Sequence, residues 1–469
     1  MDRKLIITAG LKNNIYLILE DGIPVELKLE DTELSKQAGS IYKGKIKSYS
    51  TAMEAFFVDI GEEKEAFLPL KDVCEEARDS LKVGSSVIAQ VKRSPISTKG
   101  AKLSSKVSLP GKYLVLLPCN KGKVSISSKL EDTEERETLK ESVLDFIKDY
   151  NPDNYGIIIR TSAKNAIAED ILSDFQFLKQ LWSNILNDSK HKRAPSILYE
   201  EPFKAFSIIR DYGGEFKEIV SDKIQILKEI KGFLAKNFPK LNIKLTPYRK
   251  KKESLYFEYS IDKVVSKILS SHVYLRNGSY IVIEETEALV VIDVNSGSCH
   301  KQKNLEETAY RINIEAAREI VRQVRLRDLG GIIIIDFIDM MEQKHRDELI
   351  EFLRNEFKKD KRPVKIKGLT QLGLLELSRK KLEESVVKQL TESCLVCSGR
   401  GFYRSEEVFL FEMEKTLSKL KPFLRLKLIV PQKAQKSVRQ LLEKLGLVNY
   451  VELSYNSKLQ DKFEVEKLE

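Results

Sequence analysis

Cysteine is scarce and poorly placed for a framework. Five residues, Cys74, Cys119, Cys299, Cys394 and Cys397, are spread over 469 positions. An odd, scattered set argues against a disulfide-stapled secreted domain. Long apolar runs are missing as well. No stretch approaches the ~20 residues of a membrane-spanning helix. The apolar stretch behind Met1-Asp2-Arg3-Lys4 is too short for a secretory signal. These absences predict a cytoplasmic chain without a membrane segment. The four histidines, His191, His272, His300 and His345, show no paired spacing. Neither an internal repeat nor a long low-complexity tract is apparent. What is present is the balance of a soluble, core-forming chain, with 42% hydrophobic and 32% charged residues. The length suggests about three domains. Lys plus Arg number 80 against 70 Asp plus Glu, a net charge of +10 and a pI near 9.0. That excess suits a polyanionic partner.

The stretch from Ile281 to Met341 reads as strand, helix, strand. Ala288-Leu289-Val290-Val291-Ile292 runs into Asp293-Val294-Asn295. Gly330-Gly331-Ile332-Ile333-Ile334-Ile335 runs into Asp336, with Asp339 three residues on. Such near-continuous runs predict strands buried on both faces, as in a parallel sheet. Between them Leu305, Ala309, Ile312, Ala316, Ile320 and Val324 recur at helical spacing. Asn304 with Glu307 reads as a capping signal for that helix. As neighbours in a βαβ unit, the strands bring both aspartates to one sheet edge, where α/β ligands bind. Two carboxylates there suit Mg²⁺, which takes hard oxygens at roughly 2.0–2.1 Å and fills its shell with phosphate and water. The ion could activate a water and neutralise charge on a phosphodiester. The competing reading makes each Asp a turn or cap residue.

The flanking segments supply context. Residues 1–35 alternate apolar and polar around Asp21-Gly22, which predicts a hairpin. Residues 36–109 hold short strands at Ile41–Ile46, Ala55–Gly61, Glu65–Leu70 and Ser86–Val91, the pattern of a small barrel. Aromatics and lysines interleave there, as a single-strand-binding surface requires. Phe56 and Phe57 must face opposite ways. The basic loop Ser94–Lys106 carries Lys99. Residues 110–204 hold a strand, Ile157-Ile158-Ile159, running into Arg160-Thr161, then a long amphipathic helix. An Arg and a hydroxyl at such a junction could hold a terminal phosphate, or form a solvated turn. In 205–268 a strand is expected at Phe206–Ile209, followed by helices. Asn277-Gly278 signals a type I′ turn. Beyond a helix at Gln343–Lys358, Arg379 and Lys380 either clamp phosphate near a metal or lie on a helix surface. Residues 406–469 read as a small α/β module. Cys394-Leu395-Val396-Cys397-Ser398-Gly399 has zinc-knuckle spacing, but it supplies two of four ligands. Two chains sharing one Zn²⁺ would complete the set. A redox pair and an unused motif are the other readings.

Taken in order, these motifs resemble the ribonuclease E/G family. They are Ile41-Tyr42-Lys43-Gly44-Lys45-Ile46, Ala66-Phe67-Leu68-Pro69-Leu70, Ile159-Arg160-Thr161, Ile292-Asp293-Val294-Asn295-Ser296-Gly297, Arg325-Leu326-Arg327-Asp328-Leu329-Gly330-Gly331 with Ile335-Asp336-Phe337-Ile338-Asp339-Met340, and the cysteine knuckle. The resemblance implies a Mg²⁺-dependent endoribonuclease. It would cut single-stranded rRNA and mRNA precursors with a metal-activated water, leaving 5′-phosphate and 3′-hydroxyl ends. It also implies an α/β multidomain architecture. Residues 1–35 and 205–268 would form an RNase H-like subdomain. That subdomain would be split by an S1-type OB barrel at 36–109 and a 5′-sensor region at 110–204. A DNase I-like catalytic subdomain at 269–390, a zinc-link at 391–405 and a small C-terminal domain at 406–469 would follow. Asp293 and Asp336 would ligate Mg²⁺, with Asn295 orienting a carboxylate. Arg160 and Thr161 would sense a 5′ monophosphate, and Phe57, Phe67 and Lys99 would touch RNA. Cys394 and Cys397 would share Zn²⁺ across a homodimer or homotetramer. Two features depart from the common pattern. Ser162-Ala163-Lys164-Asn165-Ala166 stands where family members often carry glycines. An acidic C-terminal half is missing, as in the compact, ribonuclease G-like members. The alternatives are a non-catalytic S1-type RNA-binding protein, which has no need of an aspartate pair at a sheet edge, and a redox-regulated dimer built on the C-x-x-C.

Overall fold

Alternation and a two-residue turn build the first strands. The computed structural model describes residues 2–31, 38–93, 100–127, 133–200, 203–238, 241–249, 253–298, 305–394, 397, 399, 401–402, 404–419, 425–456, 459 and 463–468. Lys99, Cys299, His300 and Asn304 lie outside the described residues. The chain forms two units, residues 1–389 and 390–469. In the first, antiparallel strands Arg3–Ala9, Asn13–Glu20 and Ile23–Asp31 are extended in parallel by Glu218–Ser221 and Lys244–Pro247. Asp21 and Gly22 both take positive φ (49° and 80°) at the hairpin, as a type I′ turn requires. Leu5, Ile7, Tyr16 and Ile18 pack against helices Lys204–Asp211 and Ile224–Asn237. The strand expected at Phe206–Ile209 is therefore a helix. Ala205, Ile208 and Ile209 form its buried face, and so short an apolar run does not reveal its period.

Between the two parts of this sheet lie two further bodies. Strands Ile41–Ser50, Ala55–Asp59, Ala66–Pro69, Lys102–Ser104 and Ser86–Arg93 pair in that order, and the last closes on the first. The result is a five-stranded OB barrel. A side chain at Gly44 would begin 2.4 Å from Val58 Cγ1, so the curl of the first strand depends on glycine. Strands Leu109–Pro110, Leu114–Leu117, Gly156–Ile159 and Val124–Ile126 form a second sheet, with helices Thr133–Ile147 and Ala168–His191.

The central sheet has six strands in the order His272–Tyr274, Tyr280–Glu285, Leu289–Asn295, Gly331–Asp336, Leu375–Arg379, Val364–Leu369. Leu289–Asn295 and Gly331–Asp336 run parallel, joined by the crossover helix Leu305–Leu326. Ile283, Val290, Ile292, Ile333 and Ile335 share one core with this helix and with Gln343–Phe357. The expected burial on both faces is not found. Val291 and Ile334 are half-buried, and Ile332 is 53% exposed. The other pairings are antiparallel, and such a sheet can leave one face to water. At Asn277-Gly278 only the glycine has positive φ, so the turn is not type I′. Val364–Leu369 and Leu375–Arg379 lie where charge density had hidden them.

Two buried charge clusters dock the N-terminal sheet on the central one. Arg325 reaches Glu20 at 3.1 Å and Glu26 at 3.5 Å, and Arg3 also binds Glu20, at 3.0 Å. Asp328 receives Lys28 at 2.9 Å, Arg362 at 2.5 Å and Arg379 at 2.8 Å. Burial raises the Asp328 pKa, but the three cations outweigh it and hold the carboxyl far below its usual range.

In the second unit, Leu426–Val430 lies between Val451–Tyr455 and Glu464–Lys467, and helices Glu406–Ser418 and Gln435–Lys444 share its core. Among the described residues no helix is long and apolar enough to cross a membrane.

Asp328→Asn keeps a residue tolerant of its left-handed backbone (φ 54°) and strips three cations of their anion. It should cost about 3–5 kcal/mol in urea unfolding at pH 7. The folded pKa is depressed, so the wild-type advantage is complete above the unfolded aspartate range. It should fade as pH falls below that range.

Candidate active site

Parallel pairing sets Asp293 directly opposite Asp336. Both stand at the C-terminal ends of their strands, on the open face of the sheet. The Ile292 and Ile335 side chains one residue earlier point into the core, so alternation turns both carboxylates outward. Asn295, two residues on, shares that face and donates from Nδ2 to Asp293 Oδ2 at 2.7 Å. Partial burial and the facing charges of Asp293 and Asp339 push the Asp336 pKa up. No cation among the described residues is paired with Asp293, Asp336 or Asp339.

Asn313 holds the segment beyond Asp336, a role that sequence reading missed. Its fully buried amide receives the Ile338 N–H at 3.0 Å and donates to the Ile338 carbonyl at 2.8 Å. Glu306 accepts the Met341 and Glu342 amides at 2.8 and 3.1 Å. The crossover helix thus fixes the loop that carries Asp339. Asn313 was hidden because it lies within the helix's apolar face, beside Ile312; a buried polar residue there is the signal that could have flagged it.

The chemistry of the donor set fits a hard divalent cation. Two carboxylates converge with unneutralised charge. Among the described residues no three His, Cys, Asp or Glu side chains form a metal-holding group. A Mg²⁺ ion on two carboxylates would draw its remaining oxygens from phosphate and water. Binding should weaken as pH falls through the raised Asp336 pKa, because protonation removes a ligand.

The other expected residues lie in separate places. Phe57 and Phe67 face each other across barrel strands, half-buried, with centroids 6.0 Å apart at 63°. Phe56 is buried in the barrel core. Lys102 is the strand partner of Phe67, and its ammonium pairs with Asp72 at 3.2 Å. Arg160 follows the Gly156–Ile159 strand and donates to the Gly111 carbonyl at 2.9 Å and to Asp211 at 3.0 Å. Thr161 beside it is exposed. In the second unit Cys394 is exposed, and Cys397 Sγ accepts the Gly401 N–H at 3.3 Å. Arg379 requires a correction. It is 3% exposed and bound to Asp328, to Asp360 at 2.7 Å and to the Leu329 carbonyl at 2.8 Å. It lies on the buried face of strand Leu375–Arg379, where two carboxylates use its guanidinium and RNA cannot reach it.

Residues 35–106 match the S1 RNA binding domain, and residues 108–382 match the Ribonuclease E/G family. The chain belongs to the ribonuclease E/G family. The family match spans Arg160, both aspartates and Asn313. Ribonuclease G of Haemophilus influenzae is 34% identical over 417 residues, covering 85% of this chain and 84% of that protein. Ribonuclease G of Escherichia coli K12 is 31% identical over 434 residues, covering 89% and 88%. Ribonuclease E of the same strain is 33% identical over 421 residues, covering 86% of this chain and 39% of that protein.

Asn313→Leu removes both bonds to Ile338 and leaves its half-buried N–H and carbonyl without their side-chain partner. It should cost about 1–3 kcal/mol in unfolding and reduce turnover more than RNA binding, measured by denaturant titration and single-turnover assay.

Proposed function

We propose that this chain is a Mg²⁺-dependent endoribonuclease. It hydrolyses single-stranded RNA at the Asp293–Asp336 pair, leaving 5′-phosphate and 3′-hydroxyl ends. Family membership makes the chain an endoribonuclease with RNA as its partner. The cross-strand aspartate pair carries the chemical part of the reading. Asp293 and Asp336 would hold the ion. When bound, Mg²⁺ would neutralise charge on the phosphodiester and acidify the attacking water. Asn295 engages one oxygen of Asp293 and leaves the other free. Asn313 keeps the following loop from drifting, as a positioned site requires.

The remaining assignments follow from the same family reading. Phe57 and Phe67 stack bases on the barrel, Lys102 exchanges its Asp72 partner for phosphate, and Lys99 adds a second basic contact. Arg160 and Thr161 take a 5′ monophosphate, which displaces Asp211 from the guanidinium. We read the five-stranded sheet as RNase H-like and the six-stranded sheet as DNase I-like. We assign the substrates to rRNA and mRNA precursors in the cytoplasm. Cys394 and Cys397 supply half of a Zn²⁺ site shared by two protomers of a dimer or tetramer. The Gly401 N–H on Cys397 Sγ supports this, because such a donor stabilises a thiolate ligand.

Asp293→Asn and Asp336→Asn should each abolish cleavage of a short single-stranded RNA while RNA binding persists in a gel-shift assay. Full activity in either variant would reject the mechanism. Wild-type protein should cut 5′-monophosphate RNA faster than 5′-hydroxyl RNA, and Arg160→Ala should erase the difference.

Chelation of zinc, or Cys394→Ser, should lower the mass seen in sedimentation. An unchanged mass with no zinc in the purified protein would reject the shared site.

A further inference from the structure

The face that carries the aspartates continues past them. Two rows of residues cross the sheet in register. His272, Val282, Asp293 and Asp336 form one, and Tyr274, Tyr280 and Asn295 form the other. Ile281 and Ile283 point into the core, so Tyr274 and Tyr280 stand on the same open face as the carboxylates. Strands lie about 4.7–4.9 Å apart. Tyr280 is thus one strand from Asn295, and His272 is two strands from Asp293. The rings associate: Tyr274 and Tyr280 at 5.7 Å, His272 and Tyr280 at 5.8 Å and 28°. Tyr274 nevertheless remains 76% exposed. An aromatic pair that served only to brace an edge strand would gain by burying its rings against each other. Here a broad π surface is left to solvent beside unneutralised carboxylates.

We infer that Tyr274 and Tyr280 form a nucleobase-stacking subsite, which takes an unpaired base next to the phosphate held at Asp293 and Asp336. The inference rests on the endoribonuclease reading. Continuity of the two rows decides the occupant. A chain whose phosphate lies on the aspartates passes over the tyrosines within a nucleotide or so. Stacking needs no base identity, since every base has a π face. It does need a base free of its partner, because a paired base keeps its face inside the helix. The subsite therefore selects for single strands at the point of cleavage, separately from the barrel's Phe57 and Phe67.

The test uses a short single-stranded RNA with one cut site, prepared as a series with one abasic ribonucleotide at successive positions around the cut. Wild-type protein should lose about tenfold in kcat/KM at one position, the loss of a single stacked base. Tyr274→Ala should lose a similar factor on intact RNA and nothing further at that position. Tyr274→Phe should behave as wild type, and Tyr274→Leu should resemble the alanine variant with an unchanged Tm. Equal abasic profiles in wild type and Tyr274→Ala, or full activity of Tyr274→Ala on intact RNA, would overturn the subsite. A second readout is independent of cleavage. Without Mg²⁺, 2-aminopurine at the same position should be quenched on binding wild type and not on binding Tyr274→Ala. Failure of wild type to cut any RNA would reject the nuclease reading, while this fluorescence difference would still decide the subsite.

Discussion

The parallel register between Leu289–Asn295 and Gly331–Asp336 is the constraint on which the site depends. Side chains alternate with period two, so a slip of one residue would set Asp336 against a core-facing neighbour and turn the pair apart. Several features hold the register. Ile292 and Ile335 are fully buried against the crossover helix. Gly331 opens its strand with a φ of 97°, a conformation costly for other residues. Just before it, Leu329 gives its carbonyl to Arg379 and Asp328 anchors three cations. The strand that ends at Asp336 is thus tied at its start to the N-terminal sheet.

Asp328 and Asp336 lie in one short stretch of chain and have opposite electrostatics. Asp328 is buried and over-neutralised, and its carboxyl titrates far below the usual range. Asp336 is exposed and faces Asp293 and Asp339, and its pKa is raised. The first arrangement supports docking of two sheets. The second leaves facing carboxylates without a paired cation, at the place where we propose that Mg²⁺ binds. The same logic removes Arg379 from the substrate's path: a guanidinium shared between two buried carboxylates has no capacity left for phosphate.

Much of this was legible in the residues. The strand–helix–strand core, the barrel strands and the Asp21-Gly22 turn follow from period, length and turn chemistry. The pairing of Asp293 with Asp336 was legible because each follows an apolar run and a helical pattern joins the two. Three things were not. Phe206–Ile209 is too short for period to separate strand from helix, and packing against Leu5 and Ile7 decides it. Val364–Leu369 and Leu375–Arg379 are strands within dense charge, recruited by pairing across the sheet rather than by propensity. Single-face burial of the central sheet depends on where its helices fall, which local sequence does not contain. Asn313 and the tyrosine rows needed register, a property of two strands at once.

The first sheet also sets a timetable. Arg3–Ala9 finds its parallel partner only at Glu218–Ser221, so the opening strands are made long before the sheet can close. At about 5–20 residues per second of synthesis, the wait is on the order of 10–40 s. Through that interval Leu5, Ile7, Tyr16 and Ile18 have no helices to cover them, and one strand edge stands open. The barrel and the second sheet are synthesised meanwhile as loops on an unfinished base. A nascent chain stalled between Asp31 and Glu218 would present a sticky, half-built sheet.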